Sequence, residues 1–341
     1  MASHLVVLNR ASKPTASVLL AHAAGFSHGA LAPFAAALCA SAERRGMRLE
    51  VRAFDFRGHG TRSGSRPAAE DWARWAADDV DDAIGAWADR DAAVPMLGVG
   101  HSMGASALLL AGDGPGAGAA LSGAVAIEPI VGPAYALPPD PTREAGTRRY
   151  GQGLPTRTIP PNPLSEATLA RQRTFSGAAE AEAYVAAHPL YRGWPDHVLR
   201  AFFEGGGLAA DTGAGAGPGQ VPADGAPAFV PPASRDSACR FSCDPLWEAD
   251  IYRGISPLWN DVLPRESTPV ALIGGGKSRI PSMGFQPEPV SLKQAMERTA
   301  HRAGAAARGS AVVPGAGHLL AMTHPEETAE AAAAALARLL E

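Results

Sequence analysis

The chain has 341 residues, of which 46% are hydrophobic and 19% are charged, and its formal net charge is −4. This length allows one large domain with an insertion, or two domains. The sequence lacks a block of like charge, which excludes an extended basic surface for nucleic acid. It contains no apolar stretch long enough to span a membrane and no recognisable secretory signal. With three cysteines, an odd number, we expect reduced thiols and a cytoplasmic protein. The oligomeric state is not predicted.

Short apolar runs alternate with helical patterns in the first 130 residues and again after residue 267. The runs predict strands at 17–22, 49–55, 94–100, 123–128, 268–274 and 310–313. The helical patterns predict helices at 30–44, 70–90, 290–302 and 326–340, and one that begins at Met103. In the helix at 70–90, every fourth residue is apolar, and its aspartates should lie largely on the other side. The alternation predicts an α/β fold, with a mainly parallel central sheet covered by helices on both faces.

The stretch from 131 to 263 breaks this alternation. It opens with a proline-rich run and then carries helical segments at 165–176, 178–188 and 195–204. Residues 205–233 are rich in glycine, alanine and proline, which predicts a mobile loop. We interpret 132–262 as an inserted, mostly helical cap over the C-terminal edge of the sheet, with 1–131 and 263–341 as the core. The alternative is an insertion of no functional consequence.

The segment Gly100-His-Ser-Met-Gly104 lies between a predicted strand and a predicted helix. In that context Gly-x-Ser-x-Gly is a nucleophile elbow, in which a strained turn projects the serine hydroxyl away from the sheet. The two glycines allow the close approach of strand and helix that such a turn requires. We therefore predict that Ser102 is a nucleophile.

A serine nucleophile needs a general base. His318 follows the last short strand in the glycine-rich loop Pro314-Gly-Ala-Gly-His318, which can bring it to the same edge of the sheet as Ser102. The alternatives are that His318 is a surface histidine, or that His324, just before the last helix, is the base.

The turn Ala21-His-Ala-Ala-Gly-Phe26 ends the first predicted strand in small residues. Backbone N–H groups there can face a developing negative charge. We predict an oxyanion hole formed by the N–H groups of Ala24 and Met103, with Ala23 as a neighbour. The His22 side chain should brace this turn.

Four segments resemble motifs of the α/β-hydrolase superfamily and occur in the same order as in that superfamily. The resemblance extends over nearly the whole chain. The segments are His22-Ala-Ala-Gly, Asp55-Phe-Arg-Gly-His-Gly60, Gly100-His-Ser-Met-Gly104 and Gly317-His318. The resemblance implies the α/β-hydrolase fold, and it implies that Asp55 and Arg57 brace neighbouring loops. Segments at 171–176, 188–194 and 243–252 also resemble the cap of a branch that includes fungal toxin-biosynthesis hydrolases and the yeast peroxisomal lipase. This branch implies hydrolysis and little about the substrate.

The superfamily usually places an acid after the strand at 268–274, but this loop contains Lys277, Ser278 and Arg279 and no carboxylate. A minority of members place the acid after the preceding core strand, where this chain has Glu128. A carboxylate that ends an apolar strand must be paired, because burying an unpaired charge is costly. We predict that Glu128 orients His318. The alternatives are that Glu128 caps the next segment or contacts a cap arginine, that Asp261 is the acid, or that Ser278 assists the site.

These observations predict a cofactor-free serine hydrolase that cleaves an ester or lactone of a hydrophobic small molecule through an acyl-enzyme. The expected pocket lining is apolar: Phe26, Met103, Trp194, Phe202, Phe203, Met283 and Leu319. Neither a metal site nor a nucleotide site is visible, and Cys239 and Cys243 are interpreted as ordinary thiols rather than half a metal site. Hydrolysis of a C–C or amide bond and slow-turnover ligand sensing remain as alternatives. Epoxide hydrolase and dehalogenase chemistry is disfavoured, because such relatives have an Asp in place of Ser102.

Overall fold

The computed structural model describes residues 5–130, 163–211, 229–253, 268–278 and 296–341, apart from positions 68, 70, 71, 88, 113–115, 298, 299 and 302. The predicted pocket residue Met283 and the alternative acid Asp261 lie outside these residues. Three further predictions also lie wholly or mostly outside them: both boundaries of the cap, the helix at 290–302 and the loop at 205–233.

Among the described residues, a seven-stranded sheet with the order β1-β3-β2-β4-β5-β9-β10 forms the centre of the fold. The strands are β1 (Leu5–Asn9), β2 (Ala16–Ala21), β3 (Leu49–Phe54), β4 (Met96–His101), β5 (Gly123–Ile127), β9 (Val270–Gly275) and β10 (Ala307–Val313). β1 pairs antiparallel with β3, and all the other pairs are parallel. The mainly parallel sheet is therefore confirmed, and the carboxyl ends of β2, β4, β5 and β9 lie at one edge.

Helices cover both faces of this sheet. They are α1 (Ala32–Glu43), α2 (Trp72–Ala86), α3 (Met103–Gly112), α8 (Leu320–Thr323) and α9 (Pro325–Leu339). Val18 and Leu20 of β2 pack with α1 and α9, whereas Leu19 and Ala21 pack with α2 and α3. Because successive side chains of a strand point to opposite faces, a strand buried on both faces is apolar along its whole length. This explains why β2, which is apolar apart from Ser17, was recognisable as a buried strand.

The inserted segment, described at 163–211 and 229–253, contains both helices and strands. Its helices are α4 (Pro163–Leu169), α5 (Ala178–Ala187), α6 (Asp196–Phe202) and α7 (Pro245–Ile251). Its short strands β6 (Thr174–Phe175), β7 (Leu208–Ala210) and β8 (Cys239–Phe241) form an antiparallel sheet of order β6-β8-β7. The segment packs on the turn after β2, where a Cβ atom on Gly29 would lie 2.4 Å from Ala201 O.

The structure corrects several predictions about elements. The helix predicted at 165–176 ends at Leu169 and is followed by a strand, because β6 pairs with β8. Part of the loop predicted at 205–233 is ordered: residues Phe203–Gly207 form a π-type turn and Leu208–Ala210 is β7. In α2 the carboxylate of Asp79 is fully buried rather than on the polar side, because it accepts hydrogen bonds from the backbone N–H and Nε of Arg57.

The turn between β4 and α3 places Ser102 in a left-handed conformation, with φ at 56°. Its backbone N–H donates to Ile127 O at the end of β5, at 2.9 Å. The flanking glycines are required sterically. A Cβ atom on Gly100 would lie 2.6 Å from Ala105 N, and one on Gly104 would lie 2.2 Å from Ala21 O. The start of α3 therefore packs directly on the end of β2.

Replacing Gly104 by Ala should destabilise the protein, because the added methyl group cannot be accommodated against the Ala21 and His22 carbonyl oxygens. Overpacking of this kind typically costs about 1–3 kcal/mol in free energy of unfolding. Gly85→Ala is the matched control, since Gly85 lies in α2 and a Cβ atom there would meet nothing within 4 Å. Urea denaturation should show that Gly85→Ala is neutral or slightly stabilising. Equal effects of the two substitutions would contradict the close approach of α3 and β2.

Candidate active site

Three side chains from distant parts of the chain form a continuous chain of hydrogen bonds at the carboxyl edge of the sheet. His318 Nε2 lies 3.0 Å from Ser102 Oγ, and His318 Nδ1 lies 3.0 Å from Glu128 Oε2. Ser102 follows β4, Glu128 follows β5 and His318 follows β10. The topology brings them together because these parallel strands all end at the same edge.

Glu128 is fully buried and is held by both of its carboxylate oxygens. Gly275 N donates to Oε1 at 2.8 Å, and Ser278 Oγ donates to Oε2 at 2.8 Å. Burial alone would raise the pKa of Glu128, but the hydrogen bonds from His318, Gly275 and Ser278 outweigh burial and lower it. The carboxylate is therefore stabilised as an anion facing the imidazole. Its backbone is left-handed, with φ at 48°, a conformation that is strained for a residue other than glycine.

The described residues include Ser278, predicted as an alternative group assisting the site, and His324, predicted as the alternative base. The Glu128 carboxylate contacts His318 Nδ1 through Oε2. Ser278 is present at the site, but as a donor to Glu128. His324 lies at the start of α9, as predicted, and its Nδ1 contacts Thr323 Oγ1 at 2.9 Å.

The side chain of His101 holds the loop that carries His318, a contact that sequence reasoning missed. His101 Nε2 lies 2.8 Å from the backbone carbonyl oxygen of His318, and the two rings are 5.2 Å apart. Burial lowers the pKa of His101 to about 3, so its imidazole is neutral and Nε2–H donates to that oxygen. A histidine inside a Gly-x-Ser-x-Gly segment gave no local signal for this contact across the sheet edge.

The turn after β2 lies next to the first turn of α3. His22 braces it as predicted, since its Nδ1 lies 2.8 Å from Ala23 O and its Nε2 accepts a hydrogen bond from Phe56 N at 3.1 Å. Met103 is the first residue of α3, so its N–H has no partner within the helix. A Cβ atom on Gly104 would lie 2.6 Å from His22 O, so the start of α3 lies against the beginning of this turn.

Asp55 ties together the loops behind this turn. Its buried carboxylate accepts hydrogen bonds from the backbone N–H groups of His28, at 2.7 Å, and Thr61, at 2.8 Å. His28 Nδ1 lies 3.0 Å from Asp55 Oδ2. Arg57 contacts Asp79 of α2. These contacts agree with the bracing interpretation of the segment.

The predicted pocket residues do not all lie together. Phe26, Trp194 and Phe202 form one aromatic cluster, in which the Phe26 ring centroid lies 5.3 Å from Trp194 and 6.0 Å from Phe202. Phe203 and Leu319 are half-buried and pack against the core on the same face of the sheet. The Met103 side chain is buried among α2 and α3 on the other face, because α3 begins immediately after Ser102.

Within the described ranges, no group of three or more His, Cys, Asp or Glu residues is arranged to hold a metal ion. Cys239 and Cys243, together with Cys39, are buried free thiols. No helix among the described residues is long and apolar enough to cross a bilayer.

A mainly parallel sheet with helices on both faces, a serine on a strand–helix turn and a histidine after the last strand together define an α/β-hydrolase. The sequence matches the family described as Serine aminopeptidase, S33, over residues 12–202. The match covers more than half of the chain, which therefore belongs to this hydrolase family. No curated protein matches the sequence at a significant level.

Solved structures with the same fold include hydrolases of several kinds. The peroxisomal α/β-hydrolase Lpx1 of Saccharomyces cerevisiae has a TM-score of 0.62 and 16% identity, covering 96% of this chain and 78% of its own. The thioesterase domain from the curacin biosynthetic pathway has a TM-score of 0.57 and 18% identity, covering 98% and 93%. A putative aryl esterase of Burkholderia cenocepacia has a TM-score of 0.57 and 13% identity, covering 98% and 94%. The expected resemblance to a yeast peroxisomal hydrolase is thus confirmed for the fold.

Proposed function

We propose that the protein is a serine hydrolase that cleaves an ester or lactone bond through an acyl-enzyme, with Ser102 as nucleophile and His318 as general base. The observation that carries the proposal is the hydrogen-bonded chain from Ser102 through His318 to Glu128, with both distances to His318 at 3.0 Å. His318 Nε2 takes the hydroxyl proton as Ser102 Oγ attacks the carbonyl carbon, and then gives it to the leaving oxygen. A water molecule then attacks the acyl-enzyme while His318 Nε2 takes its proton. His318 returns that proton to Ser102 Oγ as the acid is released.

The negative charge that develops on the carbonyl oxygen requires hydrogen-bond donors. The proposed donors are the backbone N–H groups of Ala24 and Met103. The packing of Gly104 against Ala21 O supports this pairing, because it places the start of α3 beside the turn that carries Ala24. Donors fixed by the backbone need no rearrangement as the charge forms, which is why such sites stabilise a transition state effectively.

The aromatic cluster of Phe26, Trp194 and Phe202 supports a hydrophobic small-molecule substrate, with half-buried Phe203 and Leu319 beside it. Two of the structural relatives are named as a thioesterase domain and an aryl esterase, which is consistent with acyl transfer to water. The name of the matched family favours a second candidate reaction, amide hydrolysis with the same three residues.

Rapid-quench intact-mass spectrometry tests this proposal. On mixing with an aryl ester of a medium-length acid, the protein should gain the mass of the acyl group, and peptide mapping should locate it on Ser102. A matched panel of aryl ester, lactone, thioester and aryl amide with one acyl group separates the two candidates by kcat/KM. A reaction that proceeds without an acylated intermediate would overturn the mechanism, and preference for the amide would favour the second candidate.

A further inference from the structure

A buried ion pair in the inserted segment lies against the proposed oxyanion turn. Arg171 Nη1 donates to Glu248 Oε2 at 2.7 Å, and the two side chains are only 3% and 2% exposed. Tyr252 Oη donates to Glu248 Oε1 at 2.9 Å. Arg171 Nη2 donates to the Tyr191 hydroxyl oxygen at 3.2 Å, and the guanidinium lies 5.1 Å from the Phe241 ring.

The Glu248 carboxylate reaches from α7 to the backbone of Gly25, the residue after Ala24. A Cβ atom on Gly25 would lie 2.4 Å from Glu248 Oε1 and 2.9 Å from Oε2. Gly25 also has a positive φ of 84°. Only glycine leaves room for the carboxylate here, so Glu248 packs directly on the turn whose N–H groups would hold the oxyanion.

A carboxylate in this position creates an electrostatic problem for ester hydrolysis. The proposed transition state places a second negative charge at the N–H group of Ala24, the residue before Gly25, and nearby like charges repel even at an effective dielectric constant of about 20. If uncompensated, this repulsion would slow the reaction by roughly tenfold or more. The Arg171 guanidinium is the group that removes it. Burial alone would lower the pKa of Arg171, but the charge of Glu248 outweighs burial and raises it, so the guanidinium remains charged.

We infer that Arg171 and Glu248 are a charge-balanced positioning pair for the oxyanion turn. Glu248 holds the Gly25 backbone from the inserted segment, and Arg171 cancels the negative charge that Glu248 brings to the site. Neither is a catalytic residue, because each acts through the turn. This inference rests on the proposed function, since it assigns the turn to an oxyanion.

The pair predicts opposite electrostatic effects for its two members. Arg171→Met removes the positive charge beside the turn, whereas Glu248→Gln removes the negative charge and keeps the shape of the side chain. We expect kcat of Glu248→Gln to exceed that of Arg171→Met by on the order of tenfold or more, with the double variant between them. Arg171→Lys, which retains the charge, should stay well above Arg171→Met. Arg235→Met is the matched control, because Arg235 pairs with Glu182 on the exposed surface of the same segment.

The measurements are kcat and KM for a neutral aryl ester, and the inhibition constant of an arylboronic acid that forms an anionic adduct with the serine. Boronate affinity should follow kcat across the variants while KM changes little, a pattern that a purely structural ion pair would not produce. Equal losses in Arg171→Met and Glu248→Gln would overturn the inference. So would an Arg171→Met variant at least as active as Glu248→Gln. If Arg171→Met fails to fold, a kcat of Glu248→Gln below that of the double variant would also overturn the inference.

Failure of the proposed function can be distinguished from failure of the inference. The proposed function fails if Ser102→Ala, with Arg171 and Glu248 intact, turns over the ester as fast as the unchanged protein. The inference fails if turnover depends on Ser102 and the order of the charge variants is reversed or absent.

Discussion

Replacing Ser102 by Ala should reduce ester turnover by on the order of 10⁴-fold or more, because the variant has no atom that can attack the carbonyl carbon. The fold should be retained, since the hydrogen bond from the backbone N–H of residue 102 to Ile127 O does not involve the side chain. Two measurements check this result: kcat/KM for an activated aryl ester, and covalent labelling by a fluorophosphonate probe. Labelling should disappear completely.

Ser106→Ala is the matched control for that experiment. Ser106 lies in α3 one turn after Ser102, is fully buried, and donates to the backbone oxygens of Ser102 and Ile130 at 3.2 and 3.0 Å. The variant loses a serine hydroxyl near the site without losing the proposed nucleophile, so fluorophosphonate labelling should persist. If Ser102→Ala kept the rate of the unchanged protein, or if labelling required Ser106 instead, the proposed hydrolytic mechanism would be wrong.

The central sheet was predictable because burial on both faces makes its strands uniformly apolar. β2, apart from Ser17, and β5 show this pattern, and the residues that follow them lie at the edge of the sheet that carries the candidate site. β1 was not predicted, since it is a half-buried edge strand that depends on antiparallel pairing with β3. β6 has only two residues, and pairing with β8 rather than local sequence decides its conformation.

Within the site, the predictable residues were those whose local context restricts their chemistry. Ser102 lies between two obligatory glycines, and Glu128 ends an apolar strand where an unpaired carboxylate would be costly. The bond from Gly275 N to Glu128 spans 147 positions in the chain, and that from His101 to His318 O spans 217. The contact between Glu248 and Gly25 likewise depends on how the inserted segment packs on the core. No local pattern reports such distant contacts.

The second large effect is a fall in kcat expected for Glu128→Gln, and it depends on the tautomer of His318. In the structure Glu128 Oε2 faces His318 Nδ1, so Nδ1 carries a proton and Nε2 is free to accept one from Ser102. The Gln side chain can still accept from Gly275 N through Oε1, which places its NH₂ group against Nδ1. Nδ1 must then act as acceptor, and the imidazole proton moves to Nε2, where it blocks proton transfer from Ser102. We expect kcat to fall by on the order of 10²–10⁴-fold with little change in stability.

Ser278→Ala is the control that separates the charge of Glu128 from its hydrogen bonds. It removes the donor to Oε2 but leaves the carboxylate and its contact with His318, so kcat should fall by roughly tenfold or less. Steady-state kinetics on both variants, with thermal unfolding to verify the fold, gives the comparison. The proposed role of Glu128 would have to be abandoned if Glu128→Gln kept a kcat close to that of the unchanged protein. It would also have to be abandoned if Ser278→Ala lost as much activity, because the decisive group would then be the hydroxyl rather than the carboxylate.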